Sequence, residues 1–200
     1  VTQSPPGYTD SIIGGLTYRI LKDQWDCEDC EGGEGLRQAY TASLVQDDSV
    51  HFVSDLTVPN GQTYQYERSV LRFAENTKIT VEAGGKLILK NCRLEAACRH
   101  QKWSGIEIVG ATGGFTVHTS TFRDCETPVR ALNSSGMVIT NNAFIGTRSC
   151  LGSAVSLTNC SDWDISYNNI ANFAEGISTR ETFTSAINNM KPNRTANTGT

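Results

Sequence analysis

Four charged side chains of this chain have the types and spacing that acid–base chemistry needs. Glu107 and Arg130 hold equivalent places in two successive copies of a short apolar segment, and Asp162 and Asp164 flank Trp163. Two carboxylates can hydrolyse a glycosidic bond, and carboxylates that hold calcium beside a basic residue can remove a proton from an acidic sugar. If the chain is an enzyme, we expect these four side chains to be catalytic.

The same side chains also have plain structural roles. Glu107 and Arg130 would be neighbours if the two segments stack, and a cross-strand ion pair of that kind contributes under about 1 kcal/mol. Asp162 and Asp164 are two residues apart, on one side of a strand, where acids often form turns. A lyase would place several Asp residues on consecutive turns opposite an Arg or Lys, and the sequence lacks that pattern. The sequence therefore favours a structural role for all four.

Seven cysteines in 200 residues are more than a cytosolic protein usually has, and they predict a secreted protein with disulfides. If the chain coils so that its segments stack as successive turns, Cys98 and Cys125 could face each other across adjacent turns. Cys150 could close a loop with Cys160. The odd number leaves at least one thiol unpaired, and Cys92 is the candidate because its position points inward.

Cys27 and Cys30 form a CxxC pair among acidic residues. A zinc site would need a second pair, for which Cys98 with His100 is a weak match, and a redox site would need a helix start that the sequence does not indicate. The acids also lack the Asp-x-Asp-x-Asp spacing of a calcium loop. We therefore interpret the pair as structural thiols and disulfide candidates, and we expect no metal and no cofactor.

An eight-residue frame recurs between residues 87 and 190 and must position these side chains. Its first, third and eighth residues are mostly apolar, and its fifth to seventh are rich in Asn, Thr and Ser. The copies are Leu87–Leu94, Phe115–Phe122, Met137–Phe144, Trp163–Ile170 and a weaker Phe183–Met190, which start 28, 22, 26 and 20 residues apart. A period of this length is typical of a solenoid.

A shorter segment of alternating apolar and polar residues precedes each frame, and Gly, Asn, Ser or Asp separates the two. These segments are Ile79–Val81, Ile106–Ile108, Val129–Ala131, Val155–Leu157 and Ile177–Thr179. The alternation predicts two short strands per repeat, and no 3.6-residue apolar rhythm between 75 and 180 indicates a helix. The sequence therefore predicts an all-β fold, a parallel β-helix of about five turns. An antiparallel sandwich is the alternative.

Stacked turns would bring the apolar frame positions into three inward columns that fill a narrow interior. The first column would hold Leu87, Phe115, Met137, Trp163 and Phe183, the second Leu89, Val117, Ile139 and Ile165, and the third Leu94, Phe122, Phe144, Ile170 and Met190. Frame position six holds Cys92, Ser120, Asn142, Asn168 and Asn188. We interpret position six as an internal polar ladder, because Asn tolerates a left-handed corner and its amide can bond to the next turn. The alternative is that these residues face solvent.

Three segments ahead of the first frame have strand patterns: Val50–Val53, Leu56–Val58 and Val70–Phe73. They are expected to form an incomplete first turn that covers the end of the solenoid, since terminal repeats need a cap. Tyr64 and Tyr66 could stack on sugars, or they could pack within this cap.

The remaining boundaries follow from composition. Residues 1–48 do not fit the repeat and are expected to be an irregular N-terminal segment or cap, 49–190 the β-helix, and 191–200 a polar tail or linker. The chain begins with Val1 and shows no initiator Met or signal pattern, which indicates a piece of a longer protein. A net charge of −4 without a basic cluster argues against nucleic-acid binding, and no run of 18 apolar residues could span a membrane.

The segment Ile79–Leu94, followed by Trp103–Gly110 (WSGIEIVG), resembles the right-handed β-helix regions of large secreted and surface proteins of Bacteroidetes-type bacteria. The downstream repeats resemble the pectin-lyase-like superfamily. The resemblance implies a right-handed helix and export by the type IX route. It also implies that an enzyme of this fold would act on polysaccharides.

The sequence therefore favours a non-catalytic extracellular or cell-surface module with a structural, adhesion or assembly role. The alternatives are a fragment of a polysaccharide lyase or glycoside hydrolase, and a module that binds glycans without cleaving them. The expected partners are other domains of a longer parent chain or other surface proteins, with glycans as partners in the alternative cases.

Overall fold

The structure is a computed structural model, which describes most of the chain beyond residue 52 together with its side chains. The residues described in this way are 53, 55–98, 101–146, 152–181, 194 and 195. The backbone alone is described for strand residues 8–13, 16–21, 45–46, 50–52 and 196.

Each turn of the chain contributes three short strands, and equivalent strands of successive turns pair in parallel. In chain order the strands are β1 (Tyr8–Ile13), β2 (Leu16–Leu21), β3 (Val45–Gln46), β4 (Val50–Val53), β5 (Leu56–Val58), β6 (Thr63–Glu67), β7 (Val70–Phe73), β8 (Lys78–Val81), β9 (Lys86–Lys90), β10 (Arg93–Ala96), β11 (Gly105–Val109), β12 (Phe115–His118), β13 (Thr121–Arg123), β14 (Val129–Leu132), β15 (Val138–Thr140), β16 (Ala143–Ile145), β17 (Ser153–Thr158), β18 (Asp164–Ser166), β19 (Asn169–Ala171), β20 (Glu175–Arg180) and β21 (Arg194–Ala196). β1 and β2 form an antiparallel hairpin.

The other described strands form three parallel sheets around one interior. Sheet 1 contains β3, β6, β9, β12, β15 and β18; sheet 2 contains β4, β7, β10, β13, β16, β19 and β21; sheet 3 contains β5, β8, β11, β14, β17 and β20. The chain therefore makes five turns between the first and last strands of sheet 1. The predicted all-β solenoid of about five turns is confirmed.

The strand register confirms the predicted columns for the members that the structure describes, and Phe183 lies outside those residues. In sheet 1, Leu89 lies opposite Val117, Val117 opposite Ile139, and Ile139 opposite Ile165, and all four side chains are 0 % exposed. The other columns hold Leu87, Phe115, Met137 and Trp163 in sheet 1, and Leu94, Phe122, Phe144 and Ile170 in sheet 2. Inward residues therefore alternate with outward ones along each strand, as the sequence pattern requires.

Aromatic rings reinforce the interior between sheets 2 and 3. The ring of Trp103 stacks on Phe73 at 4.1 Å, and Phe122 stacks on Phe144 at 4.9 Å. The indole Nε1 of Trp103 donates a hydrogen bond of 2.9 Å to the carbonyl of Arg123 on the next turn. Stacked pairs of this kind add about 0.5–1.5 kcal/mol each beyond the burial of their area.

The eight-residue frame is two strands and a corner, so each turn has three strands and not the expected two. The bend falls at the fifth frame position, whose residues have φ between 51° and 58° and are Arg68, Asn91, Thr119, Asn141 and Tyr167. The left-handed conformation thus belongs to position five. The sequence had predicted this conformation at position six, where the structure shows only the hydrogen bonding that was also predicted there.

The internal polar ladder is confirmed at position six, where Cys92, Ser120, Asn142 and Asn168 are at most 3 % exposed. The backbone N–H of Cys92 donates to Ser120 Oγ at 3.0 Å, and that of Ser120 donates to Asn142 Oδ1 at 2.8 Å. The N–H of Asn142 continues the series to Asn168 Oδ1 at 2.9 Å. The side chains of Ser120, Asn142 and Asn168 therefore each satisfy a buried donor of the preceding turn.

The turn before the first predicted frame is a regular one that the sequence analysis did not identify. Tyr64 lies opposite Leu87 and Tyr66 opposite Leu89, and both tyrosines are buried. Burial raises the pKa of Tyr66 to about 12, with smaller contributions from Tyr64 and Cys92. The tyrosines therefore continue the core columns, and the idea that they stack on sugars is wrong.

At the other end, the register differs from the predicted fifth frame. Thr195 of β21 lies opposite Ile170, in the place that the sequence analysis gave to Met190. The paired strands run from β3 to β21, so the solenoid takes in residues that were assigned to the cap and to the polar tail.

Candidate functional site

A groove of about 280 Å³ opens on the outer surface of sheet 3, beside the corner that connects sheets 2 and 3. Its charged lining consists of Lys78, Glu107, Glu126 and Arg130. Asn76 and Ser104 add an amide and a hydroxyl, so the groove combines cations, carboxylates and neutral hydrogen-bonding groups.

The strands of sheet 3 position the two central side chains. Glu107 lies opposite Thr80 on one side and opposite Arg130 on the other. The register aligns the middle residues of the five short segments, Thr80, Glu107, Arg130, Ser156 and Ser178, in one outward column. Glu107 and Arg130 are therefore neighbours on adjacent strands, as expected.

The ion pair of Glu107 is nevertheless not the predicted one. Glu107 Oε2 lies 2.5 Å from Nζ of Lys78, and no ion pair joins it to Arg130 in the described part of the chain. Lys78 is placed to reach Glu107 from the preceding strand, and Asp55 Oδ1 accepts a hydrogen bond of 2.9 Å from its backbone N–H. Both side chains are about one-third or more exposed, so the pair contributes under about 1 kcal/mol.

Tight corners bring the backbone of successive turns close together beside the groove. Gly105 has φ +107, and a Cβ there would lie 1.9 Å from the carbonyl oxygen of Thr127. Ser104 Oγ donates to the carbonyl of Asn76 at 3.0 Å, which ties two corners together. Only glycine fits at position 105 without displacing this backbone.

Two groove side chains keep their charges uncompensated. Arg130 and Glu126 are both exposed, and neither has an ion-pair or side-chain hydrogen-bond partner among the described residues. Since Lys78 neutralises Glu107, the groove as a whole is neutral but carries one available cation and one available anion. Such a surface can bind a ligand that has both charges.

The two aspartates predicted to join this chemistry lie elsewhere. Asp162 is at a corner with φ 51, and its Oδ2 is 3.3 Å from Ser161 Oγ. Asp164 begins a strand of sheet 1, and its Oδ1 accepts a hydrogen bond of 2.7 Å from Ser166 Oγ. The structure thus brings Glu107 and Arg130 together and leaves the aspartates elsewhere, Asp162 at a corner and Asp164 on sheet 1.

The fold agrees with a known family. The family described as right handed beta helix region matches residues 57–199, which is more than half of the chain. The chain belongs to the right-handed β-helix family. No curated protein and no solved structure matches it.

The cysteines of this β-helix correct part of the predicted disulfide pattern. Cys92 is a buried reduced thiol, as predicted, but Cys125 and Cys160 are reduced as well, so the proposed Cys98–Cys125 and Cys150–Cys160 bridges are wrong. Cys160 points inward, where its Sγ donates to the carbonyl of Thr158 at 3.2 Å. Cys27, Cys30 and Cys150 lie outside the described residues.

Burial also explains the low reactivity expected of two thiols. It raises the pKa of both Cys92 and Cys160, while backbone hydrogen bonds act in the opposite direction. Because the thiolate is the reactive form, neither side chain is suited to nucleophilic chemistry.

A second polar ladder, which the sequence analysis missed, follows the corner between sheets 3 and 1. Ala111, Ser134 and Cys160 are its buried members. The N–H of Ala111 donates to Ser134 Oγ at 3.2 Å, and Ser134 Oγ donates to the carbonyl of Leu132 at 2.8 Å. The signal was present as a Gly or Asn followed by a small residue at each of these corners.

Glu95 forms two ion pairs with arginines of sheet 2. Glu95 accepts from Arg72 at 3.0 Å and from Arg93 at 2.7 Å. Burial raises the pKa of Asp124, Glu95 raises it further, and Arg123 lowers it.

Within the described residues, no group of three or more His, Cys, Asp or Glu side chains could hold a metal ion. The same part of the chain contains no helix of the length and apolarity needed to cross a membrane.

Proposed function

We propose that this β-helix is a non-catalytic module of a secreted or cell-surface protein, with a structural, adhesion or assembly role. The observation that supports it most is the separation of the candidate acids. Glu107 is neutralised by Lys78, and Asp162 and Asp164 lie on another part of the surface with serine partners of their own. Glycoside hydrolysis needs two carboxyl groups on either side of one scissile bond, and the two aspartates do not line the groove that holds Glu107.

The extracellular part of the proposal rests on the cysteines. With Cys92, Cys125 and Cys160 reduced in the described region, four cysteines remain that can form two disulfides. Those four are Cys27, Cys30, Cys98 and Cys150. Disulfides persist in secreted and surface proteins, where the compartment is oxidising.

The route and source form the most specific part of the proposal. The likeness of Ile79–Leu94 to β-helix regions of large Bacteroidetes-type surface proteins supports a parent protein exported by the type IX route. In that setting the β-helix would serve as a rigid spacer, because its core columns and ladders run uninterrupted from turn to turn.

A second candidate function is favoured by one observation. The groove holds two carboxylates, Glu107 and Glu126, beside an available guanidinium, and a polysaccharide-acting enzyme or glycan-binding module would use groups of these types. Among the described lining residues there is no aromatic ring on which a sugar could stack.

One experiment separates the two candidates. The protein is incubated with a panel of acidic and neutral polysaccharides, and unsaturated products and reducing ends are measured. We expect neither product to exceed that of a protein-free blank. Release that is lost in Glu107→Gln or Glu126→Gln, and kept in the matched control Glu82→Gln, would establish catalysis and overturn the proposal.

A further inference from the structure

We propose that the outer face of sheet 3 binds an extended peptide segment in which a basic, an acidic and an aliphatic residue alternate with small ones. The basic side chain would meet Glu126, the acidic one Arg130, and the aliphatic one the exposed pair Val109 and Leu132. The inference builds on the proposed non-catalytic role, for which it supplies the chemistry of a partner.

The apolar part of this surface is a pair of neighbours. Val109 and Leu132 lie opposite each other on β11 and β14, and each is 39 % exposed. Two aliphatic side chains side by side on an outer sheet face form a small apolar contact area, and burying it against a ligand is favourable.

The charged part lies next to the apolar part on the same strands. Glu107 and Arg130 occur two residues before Val109 and Leu132, so the two positions are about 6.6 Å apart along the strand. The groove with Glu126 lies beyond them, toward the corner. The surface therefore presents an anion, a cation and an apolar patch in a line.

The spacing of Arg130 and Leu132 along β14 matches that of an extended peptide. Alternate residues of an extended chain point to the same side and are about 6.6 Å apart. A segment lying along β14 would place one side chain on Arg130 and the next same-side residue on Leu132. Its preceding same-side residue would lie over the start of β14, and a long basic side chain there would extend toward Glu126 in the groove.

The charges decide which residues the segment carries. The guanidinium of Arg130 and the carboxylate of Glu126 have no side-chain partner among the described residues, whereas Lys78 compensates Glu107. A ligand with a single charge would satisfy one of the two available groups and be repelled by the other. A segment with both charges in the stated order complements the surface, which gives specificity more than raw affinity.

The test uses isotope-labelled protein and three capped heptapeptides, monitored by NMR of the backbone amides. The peptides are Ser-Lys-Ser-Asp-Ser-Leu-Ser, its reverse, and the charge-exchanged Ser-Asp-Ser-Lys-Ser-Leu-Ser. We expect saturable shifts at Val109, Arg130 and Leu132 with the first peptide or its reverse. Affinity for the charge-exchanged peptide should be weaker by about tenfold.

Variants make the assignment specific. Arg130→Glu should weaken binding by about tenfold, while Arg123→Glu on sheet 2 should leave it unchanged. Leu132→Ser should weaken it by about fivefold, and the matched change of an exposed valine on sheet 1, Val138→Ser, should not. The double variant Arg130→Glu with Glu126→Lys should prefer the charge-exchanged peptide, a reversal that a merely structural effect would not produce.

Three outcomes overturn the inference. If millimolar peptide causes no shifts, or shifts only amides outside sheet 3, the surface does not bind the proposed ligand. Equal binding by the wild type and by Arg130→Glu removes the role of the charges. If an oligosaccharide of uronic acids shifts the same amides saturably and the peptides do not, the face binds glycans instead. Failure of the proposed non-catalytic function would be seen separately, as polysaccharide cleavage.

Discussion

Replacement of Asn142 by Ala should destabilise the protein more than any exposed substitution, because Asn142 connects three turns. Its Oδ1 accepts from the Ser120 N–H at 2.8 Å, and its Nδ2 donates to the Val117 carbonyl at 3.2 Å and to Asn168 Oδ1 at 3.1 Å. The side chain is 2 % exposed, so water does not replace these partners in the folded chain.

The magnitude follows from the groups that lose a partner. The buried N–H of Ser120 would be left without an acceptor, which costs about 1–3 kcal/mol. The cavity left by the missing amide and the loss of the hydrogen bond to the Val117 carbonyl add to this cost. We therefore expect the free energy of unfolding to fall by about 2–4 kcal/mol. This is a large fraction of the roughly 5–15 kcal/mol that holds a typical domain together.

Two further variants at Asn142 test the mechanism. Asn142→Ser should cost less than Asn142→Ala, because Ser120 shows that a hydroxyl at this position accepts the N–H of the preceding turn. Asn142→Asp should fold in acid and lose stability as the pH rises through the titration of the new carboxyl, since the ionised form would be buried facing Val117 and Asn168 oxygens.

The assay is urea unfolding followed by circular dichroism, with Asn141→Gly as the control. Asn141 is the exposed neighbour at φ 58, where glycine is accommodated without strain. Equal shifts of the midpoint in Asn142→Ala and Asn141→Gly would refute the reasoning, because the buried ladder would then stabilise the fold no more than an exposed corner residue does.

Other predictions concern strain, titration and thiols. Thr119→Asn should raise the free energy of unfolding by about 1 kcal/mol in urea titrations, because a β-branched residue at φ 51 is strained and Asn is less so; an unchanged midpoint would argue against the corner. Asp124→Asn should raise the melting temperature at pH 7, because burial raises the pKa of Asp124 and the folded chain therefore disfavours its ionised form. That gain should vanish as the pH falls below the ordinary titration of Asp, and a gain of equal size in acid would contradict it. Mass spectrometry after alkylation of unfolded, unreduced protein should find three thiols, Cys92, Cys125 and Cys160, and seven would contradict the proposed oxidising compartment.

The columns could be predicted from the sequence because their signal is periodic in two ways. Leu89, Val117, Ile139 and Ile165 alternate with polar neighbours along each strand and recur once per turn, and both periods follow from the geometry of stacked strands. The ladder at Asn142 was predictable for the same reason. Tyr64 and Tyr66 were missed because a tyrosine can serve a core or a surface, and its pattern alone does not distinguish them.

The bend and the groove could not be predicted in the same way. Asn91 and Asn141 suit both a strand end and a left-handed corner, so the frame does not reveal that it contains one. The pairing of Glu107 with Lys78 depends on the reach of a long side chain from the preceding strand and not on register. Glu126 stands in a corner without any repeat signal, so its place in the groove emerges only from the folded chain.

Every surface assignment depends on the order in which the turns stack, and methyl–methyl NOEs in selectively labelled protein measure that order directly. Leu89, Val117, Ile139 and Ile165 should show strong cross-peaks only between successive members, since adjacent strands are about 4.8 Å apart and next-but-one strands about twice that. Strong cross-peaks from Leu89 to Ile139, or none between Val117 and Ile139, would contradict the stacked solenoid.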